Sequence, residues 1–412
     1  MRRPRVDALP VRAALWTAVA ALGLTLIGAP ANAQQPAAST TVSCLPEPQQ
    51  VAPEDVARLD ALARKKLLAA ATPSYKRYPF GALRAESTYQ RMKGDKWASG
   101  FFTASLWREY ERTHAKKYLT KARAFTEGLL PQAFNTNTHD LGFMVGLPAG
   151  LGARLDPDPS RRQRYHDAVV NAARTLAKRY DPKVQAIKSA DYDGKWGVII
   201  DSAMNAPLLI EVGQELGGDE GQKLIDIGTA HMRTLARDFI RPNGSTYHRM
   251  AYDPQTGALI GPMPGQGLDG EKSTWSRGQA WAINGFTRAY ELTKDPTFKD
   301  AAKRTASFWM TTRQGCVPAW DFDVTNSRSP MDSGAAAIAA DGLLRLDAVD
   351  PSIGAGSYAR YLLGTLTAPW WLSSYSINPG LLLQQTLNVN SDPREGSYVW
   401  GDYYLLSAIA QL

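Results

Sequence analysis

The sequence predicts an all-α protein built from helical hairpins, and three observations carry that reading. Apolar residues recur at three- and four-residue spacing in segment after segment from Pro53 onward, which lays an apolar stripe along one side of a helix. Convincing strand-like alternation of apolar and polar residues is absent. An aromatic residue or leucine, with a small or aliphatic residue four positions on, recurs at Tyr118, Tyr165, Leu224, Phe298 and Tyr358, at gaps of 47, 59, 74 and 60 residues. A period near 60 residues matches one helix pair with a generous loop, and about six such units fit the chain. Six pairs can close into a ring of inner and outer helices with no terminal repeat to cap; an open superhelix is the competing architecture.

Taken in order, residues 1–33 read as an export signal. Arg2, Arg3, Arg5 and Arg12 precede an uncharged apolar run from Ala13 to Gly28, and Ala31-Asn32-Ala33 offers small residues for cleavage. The run is too short to favour a stable membrane span, so the expected location is exported, periplasmic or secreted. Cleavage removes four arginines and Asp7, which lowers the net charge from +8 to +5. That mild basicity suits an anionic ligand but lacks the clustered Lys/Arg stripes that nucleic-acid binding requires. Residues 34–50, rich in Pro, Ala, Ser, Thr and Gln, form an arm, and residues 51–412 one folded domain. Helices are expected at 53–71, 98–112, 116–131, 140–151, 161–179, 200–216, 219–240, 276–293, 297–312, 332–348, 352–368 and 397–411. Cys44 and Cys316 either form one disulfide in an oxidising compartment or remain two buried thiols. The long Gly/Pro/Asp-rich connections at 181–198, 241–274 and 369–396 are where a rigid helical scaffold would carry its site.

Two carboxylates stand out. Asp201, in GKWGVIIDSAMNAPLLIEVG, sits between apolar segments, and desolvation there would raise its pKa toward neutrality; a plain helix N-cap is the commoner use of such a residue. Asp140, in NTHDLGFMVG, is either a second acid beside it or another cap. Five histidines without an HxxxH pattern offer little to a metal, so none is expected. The nonapeptide STWSRGQAW combines a planar donor fork, Arg277, with flat faces at Trp275 and Trp281 and an amide at Gln279, a set suited to an acidic sugar. Its bland alternative makes Trp281 core, pairs Arg277 with an internal acid and uses Gly278 for close helix packing.

Together these segments resemble glycoside hydrolase family 88, the unsaturated glucuronyl hydrolases, with the unsaturated rhamnogalacturonyl hydrolases as more distant relatives. The resemblance runs in order through KWASGFF (Lys96–Phe102), HDLGF (His139–Phe143), VIIDSAMN (Val198–Asn205), His248 with YDPQTG (Tyr252–Gly257), STWSRGQAW (Ser273–Trp281), DSGAAAIAADGLL (Asp332–Leu344) and VWGDYY (Val399–Tyr404). It implies an (α/α)6 barrel, a six-hairpin toroid, acting without cofactor on the terminal 4,5-unsaturated uronic acid of oligosaccharides left by polysaccharide lyases. It assigns Asp201 as general acid and base and Asp140 as partner carboxylate. Arg277 would meet the substrate carboxylate, Trp281 and Trp97 would stack on sugar rings, and His248 and Gln266 would supply hydrogen bonds. Gly334 departs from the family's usual Ser or Ala. A rhamnogalacturonyl hydrolase on the same fold and a non-catalytic acidic-sugar-binding protein are the alternatives.

Overall fold

The computed structural model describes residues 49–71, 76–313, 317–326 and 328–412. The export signal, nearly all of the arm, and Cys44 and Cys316 lie outside them. In chain order the helices are α1 (Pro53–Ala70), α2 (Ser99–Thr113), α3 (Lys116–Leu129), α4 (Leu147–Leu155), α5 (Pro159–Ala177), α6 (Ser202–Asn205), α7 (Pro207–Leu216), α8 (Gly218–Asp238), α9 (Ser276–Thr293), α10 (Pro296–Arg313), α11 (Ser333–Val349), α12 (Ala355–Leu366) and α13 (Val399–Ile409). Helices α6 and α7 make one rod, interrupted because Pro207 lacks the N–H that would continue the ladder. Twelve barrel helices result.

They close into the toroid. Around the inside α2 packs on α4, a π-helical turn (Gly142–Gly146) leading into α4 packs on α6 and α7, α7 on α9, α9 on α11, α11 on α13, and α13 back on α2. Helices α3, α5, α8, α10 and α12 each back the inner helix that precedes them, and α1 lies against α2. Burial follows position in the ring. The inner helix α11 is buried continuously from Ser333 to Leu344, whereas outer α8 buries a stripe at Leu224, Ile227, Gly228, His231, Met232 and Leu235. The five residues of the 60-residue repeat all fall on the outer helices α3, α5, α8, α10 and α12, four of them fully buried. Close inner packing depends on small residues: a Cβ at Gly100 in α2 would stand 1.9 Å from the Phe143 carbonyl, so only glycine lets α2 reach the π turn.

The chain is mainly helix, as its spacing predicts, and the short strands it has lie in the connections. Among the described residues nine short strands occur: β1 (Tyr78–Leu83), β2 (Gln90–Met92), β3 (Tyr180–Asp181), β4 (Ala186–Ile187), β5 (Ala190–Tyr192), β6 (Lys195–Ile199), β7 (Arg249–Tyr252), β8 (Leu259–Pro262) and β9 (Gly396–Tyr398). The largest sheet runs β5-β6-β7-β8, all antiparallel, with Gly197 opposite Ala251 and Ile199 opposite Arg249. These strands are too short to show a period, and β6 pairs with a segment about fifty residues away. No described helix is long and apolar enough to cross a membrane.

Candidate active site

Because inner and outer helices alternate, all inner helices begin at one mouth of the toroid. The sequence-derived candidates gather there: Trp97 just before α2, Asp140 before the π turn, Asp201 before α6, Arg277 in the first turn of α9. Helix N-termini carry unsatisfied N–H groups and the positive end of the helix dipole, so this mouth favours an anion.

Asp201 sits where β6 turns into α6. That turn is fixed by a relay: Ile187 N–H donates to His231 Nδ1 (2.9 Å), His231 Nε2 meets Ser202 Oγ (2.9 Å), and Ser202 Oγ donates to the Ile199 carbonyl (2.6 Å). Burial holds His231 neutral, with its pKa pushed down to about 3. With Nδ1 accepting, the ring proton is on Nε2 and is donated to Ser202. Asp201 occupies the N-cap position but makes no side-chain cap, which removes the structural reading of that residue. Its Oδ2 is buried with no hydrogen-bond partner among the described residues. The side chain is 14% exposed, so it is reachable from the mouth yet surrounded by protein. Burial first, then the charge of Asp140, push its pKa up to about 7, against a smaller pull from Arg277.

Asp140 is held beside it through one amide. Asn205 Nδ2 lies 3.4 Å from Asp140 Oδ1 and 3.3 Å from the Asp201 carbonyl, while Asn205 Oδ1 accepts from Phe143 N–H (3.0 Å). Thr138 Oγ1 adds a 3.1 Å contact to Asp140 Oδ2, and His139 Nε2 stands 3.6 Å from Oδ1. On the other side His248 Nε2 stands 3.7 Å from Asp201 Oδ2. Gln266 N–H donates to His248 Nδ1 (2.7 Å), and burial together with Arg249 and Arg277 pushes the imidazole pKa down to about 3. His248 is therefore a neutral ring whose remaining N–H points toward Asp201.

Arg277 is already engaged within the protein. It is 1% exposed, and its terminal N–H groups already have acceptors: Asp332 Oδ2 and the Thr386 carbonyl at 2.6 Å, the Leu387 carbonyl at 2.5 Å and Gln266 Oε1 at 3.5 Å. Its guanidinium also lies over the Trp275 and Trp400 rings, 4.7 and 5.2 Å from their centroids. The internal-acid alternative describes this arginine, which organises the loop at 384–387 and lends positive potential to the site. The same alternative holds for Gly278, where a Cβ would meet the Trp275 ring at 2.8 Å. Trp281 likewise has no accessible face: it is 0% exposed, packed on Phe143 and Tyr404. Trp275 is buried against His248. Trp97 alone of the three keeps part of its ring open, resting on Phe101, Phe143 and Trp400.

Four polar side chains near the carboxylates carried no role in the sequence reading. Asn205 is one. Tyr192 feels both Asp201 and Asp140, its phenol pushed up to about 12 chiefly by burial. Arg249 stacks on the Tyr192 ring at 3.7 Å, and Arg179 acts on Asp140 while bonding the carbonyls of Lys188 and Ser189. The Asp193-Gly194 pair was the available signal for Tyr192, since Asp-Gly between short apolar runs marks a tight hairpin. Both residues have positive φ (49° and 73°), with Tyr192 paired to Lys195 across the turn. Gly334 is crowded, with Gln385 Oε1 2.7 Å from the position of a Cβ, so a Ser or Ala there needs that amide to shift. A separate cavity of about 330 Å³ opens among the later turns of the inner helices, bordered by Arg108, Arg288 and Arg345, and contains neither carboxylate. Among the described residues no cluster of three His, Cys, Asp or Glu side chains is placed to hold a metal ion.

No protein-family model matches the chain. An unsaturated glucuronyl hydrolase of Formosa agariphila is 34% identical over 348 residues, covering 81% of this chain and 85% of that protein. An unsaturated glucuronyl hydrolase of Bacillus sp. strain GL1 is 30% identical over 343 residues, covering 77% and 86%. Among solved structures, an unsaturated glucuronyl hydrolase specific for heparin superimposes with a TM-score of 0.81 at 29% identity, covering 87% of this chain and 97% of that one.

Proposed function

Since the chain belongs to the unsaturated glucuronyl hydrolases, glycoside hydrolase family 88, we propose that it releases the terminal 4,5-unsaturated uronic acid from lyase-generated oligosaccharides, with Asp201 as the proton donor. The alkene is conjugated to the ring oxygen as a vinyl ether. Protonation of C4 by Asp201 leaves an oxocarbenium ion at C5, and the Asp201 carboxylate then takes a proton from the water that adds there. The hemiketal so formed opens and releases the next sugar. This needs a carboxylic acid that is still protonated near neutral pH and a carboxylate to take up the proton afterwards, both of which a pKa near 7 supplies.

The observation that carries this reading is the shielded, unpartnered Oδ2 of Asp201 beside Asp140. The helix N-termini and Arg249 favour an anionic sugar, Trp97 offers a stacking face, and the His248 N–H faces the carboxylate that forms when the proton leaves. A leader at residues 1–33 fits an enzyme that meets polymer fragments outside the cytoplasm; N-terminal sequencing of the mature protein near Gln34 tests it. The test of activity is loss of alkene ultraviolet absorbance with products of chondroitin, hyaluronan, heparin, gellan, ulvan and pectin lyases. Turnover by wild type and none by Asp201→Asn, with binding retained, is the expected result. Absence of decay across the panel, or turnover by the asparagine variant at the wild-type rate, refutes it.

A further inference from the structure

We infer that a rigid aromatic and cationic platform formed by Trp370, Tyr375 and Arg84 is an auxiliary subsite for the distal sugars of longer anionic oligosaccharides. Trp370 is 58% exposed and Tyr375 92%. With Arg84, Leu372, Ser376 and Leu383 they border a cleft of about 550 Å³. Among the described residues neither ring is engaged by another ring or a cation, and Arg84 has no hydrogen bond or ion pair.

Exposed rings on a loop ordinarily fold back onto apolar surface, and here the loop is staked so that they do not. Lys66 on α1 donates into the turn at 373–378, to Ser373 Oγ (2.7 Å) and to the carbonyls of Ser373 (3.0 Å), Ser376 (3.4 Å) and Asn378. Asn378 Nδ2 ties the same turn to the Leu83 carbonyl (2.8 Å), the residue before Arg84. At the other end Gln384 Nε2 donates to the Trp370 carbonyl (3.2 Å), and the Gln384 carbonyl accepts from Ser333 N–H (3.0 Å), one residue past Asp332. Through Gln384 the platform is linked to the start of α11, on the side of the toroid where the inner helices begin. A preorganised aromatic face costs a ligand little ordering entropy.

The occupant follows from chemistry. A protein partner calls for a contiguous apolar patch, whereas these rings alternate with a hydroxyl and a guanidinium whose charge also acts on Glu395. Flat apolar faces with a cation beside them suit sugar rings that bear carboxylate or sulfate groups. The inference rests on the proposed function for its substrate class.

The experiment compares lyase-generated disaccharides and hexasaccharides of chondroitin sulfate and hyaluronan with wild type, Trp370→Ala/Tyr375→Ala and Arg84→Gln. The ring variant is expected to raise KM for the hexasaccharide about tenfold with kcat kept, and to leave disaccharide kinetics within about twofold. Trp370→Phe should restore hexasaccharide affinity. Affinity electrophoresis through gels containing each intact polysaccharide gives a readout independent of turnover: retardation of wild type, lost in the ring variant, is expected. Equal effects on both chain lengths, or unchanged retardation, overturn the inference, as does a shift in oligomeric state by light scattering without any length-dependent change. Wild type inactive across the whole lyase-product panel but retarded in the gels would sink the proposed function and leave the platform standing.

Discussion

Asp140→Asn separates the two causes that raise the Asp201 pKa, because it deletes the charge while preserving the shape. Asn205 Nδ2 bridges Asp140 Oδ1 (3.4 Å) and the Asp201 main-chain carbonyl (3.3 Å), which holds the Asp140 charge beside the Asp201 backbone. Two unit charges roughly 7 Å apart at an effective dielectric of about 20 repel by about 2.4 kcal/mol, or nearly 2 pK units, which sets the scale of the effect. Burial is the larger cause and survives the substitution, so the Asp201 pKa should fall below about 7 without reaching its ordinary 3.8. The active form is the protonated acid, so kcat/KM falls as pH rises through this pKa. The assay is kcat/KM against pH, followed by alkene absorbance: wild type should lose activity above about pH 7, and the variant should lose it one to two pH units lower. Any role of Asp140 in holding hydroxyls lowers the variant's rate at every pH and does not move the limb. An alkaline limb that stays near pH 7 in the variant would refute the electrostatic reasoning.

Stability should respond to pH at the same residue. The folded pKa of Asp201 lies above its ordinary value, so the folded state keeps a proton that the unfolded state releases between about pH 4 and pH 7. Wild type therefore loses stability as pH rises through that window, by about 4 kcal/mol in all. In urea denaturation Asp201→Asn should match wild type at the acid end and exceed it at pH 8; a difference that does not vary with pH would be the wrong result. For Arg277→Ala the orphaned, fully buried Asp332 should cost about 3–5 kcal/mol of stability, and a variant as stable as wild type with only KM raised would return Arg277 to direct substrate contact. Trp281→Ala should lose about 3–5 kcal/mol as a core truncation, whereas Trp97→Ala should mainly raise KM. Calorimetry and kinetics with the two effects exchanged between these tryptophans would contradict their placement.

The helices were legible because each writes its burial into local spacing. The repeat at Tyr118, Tyr165, Leu224, Phe298 and Tyr358 marked the outer helices through the one apolar stripe each must bury. The two candidate aspartates were legible as carboxylates stranded among apolar residues. Pairings across the chain were not. Nothing near Arg277 announces that its partner is Asp332, 55 positions away, or that the carbonyls of Thr386 and Leu387 complete its shell. Trp281 looked like a platform because a sequence does not say which face of an inner helix points at the axis and which at a neighbour. The sheet that carries Tyr192 and Arg249 is assembled from pieces of three to five residues, below the length at which alternation can be recognised.

Ring closure by α13 on α2 has a bearing on biogenesis. The helix that seals the toroid is made after the other helices of the ring, and it brings Trp400 against Trp97. Until it leaves the ribosome the nascent chain is a crescent whose greasy rims face each other across an unfilled wedge. Deletions that remove only α13 should be as severe as deletions of whole hairpins. A circular permutant that joins the ends and reopens the circle at an outer loop would move that vulnerability to a different pair of neighbours.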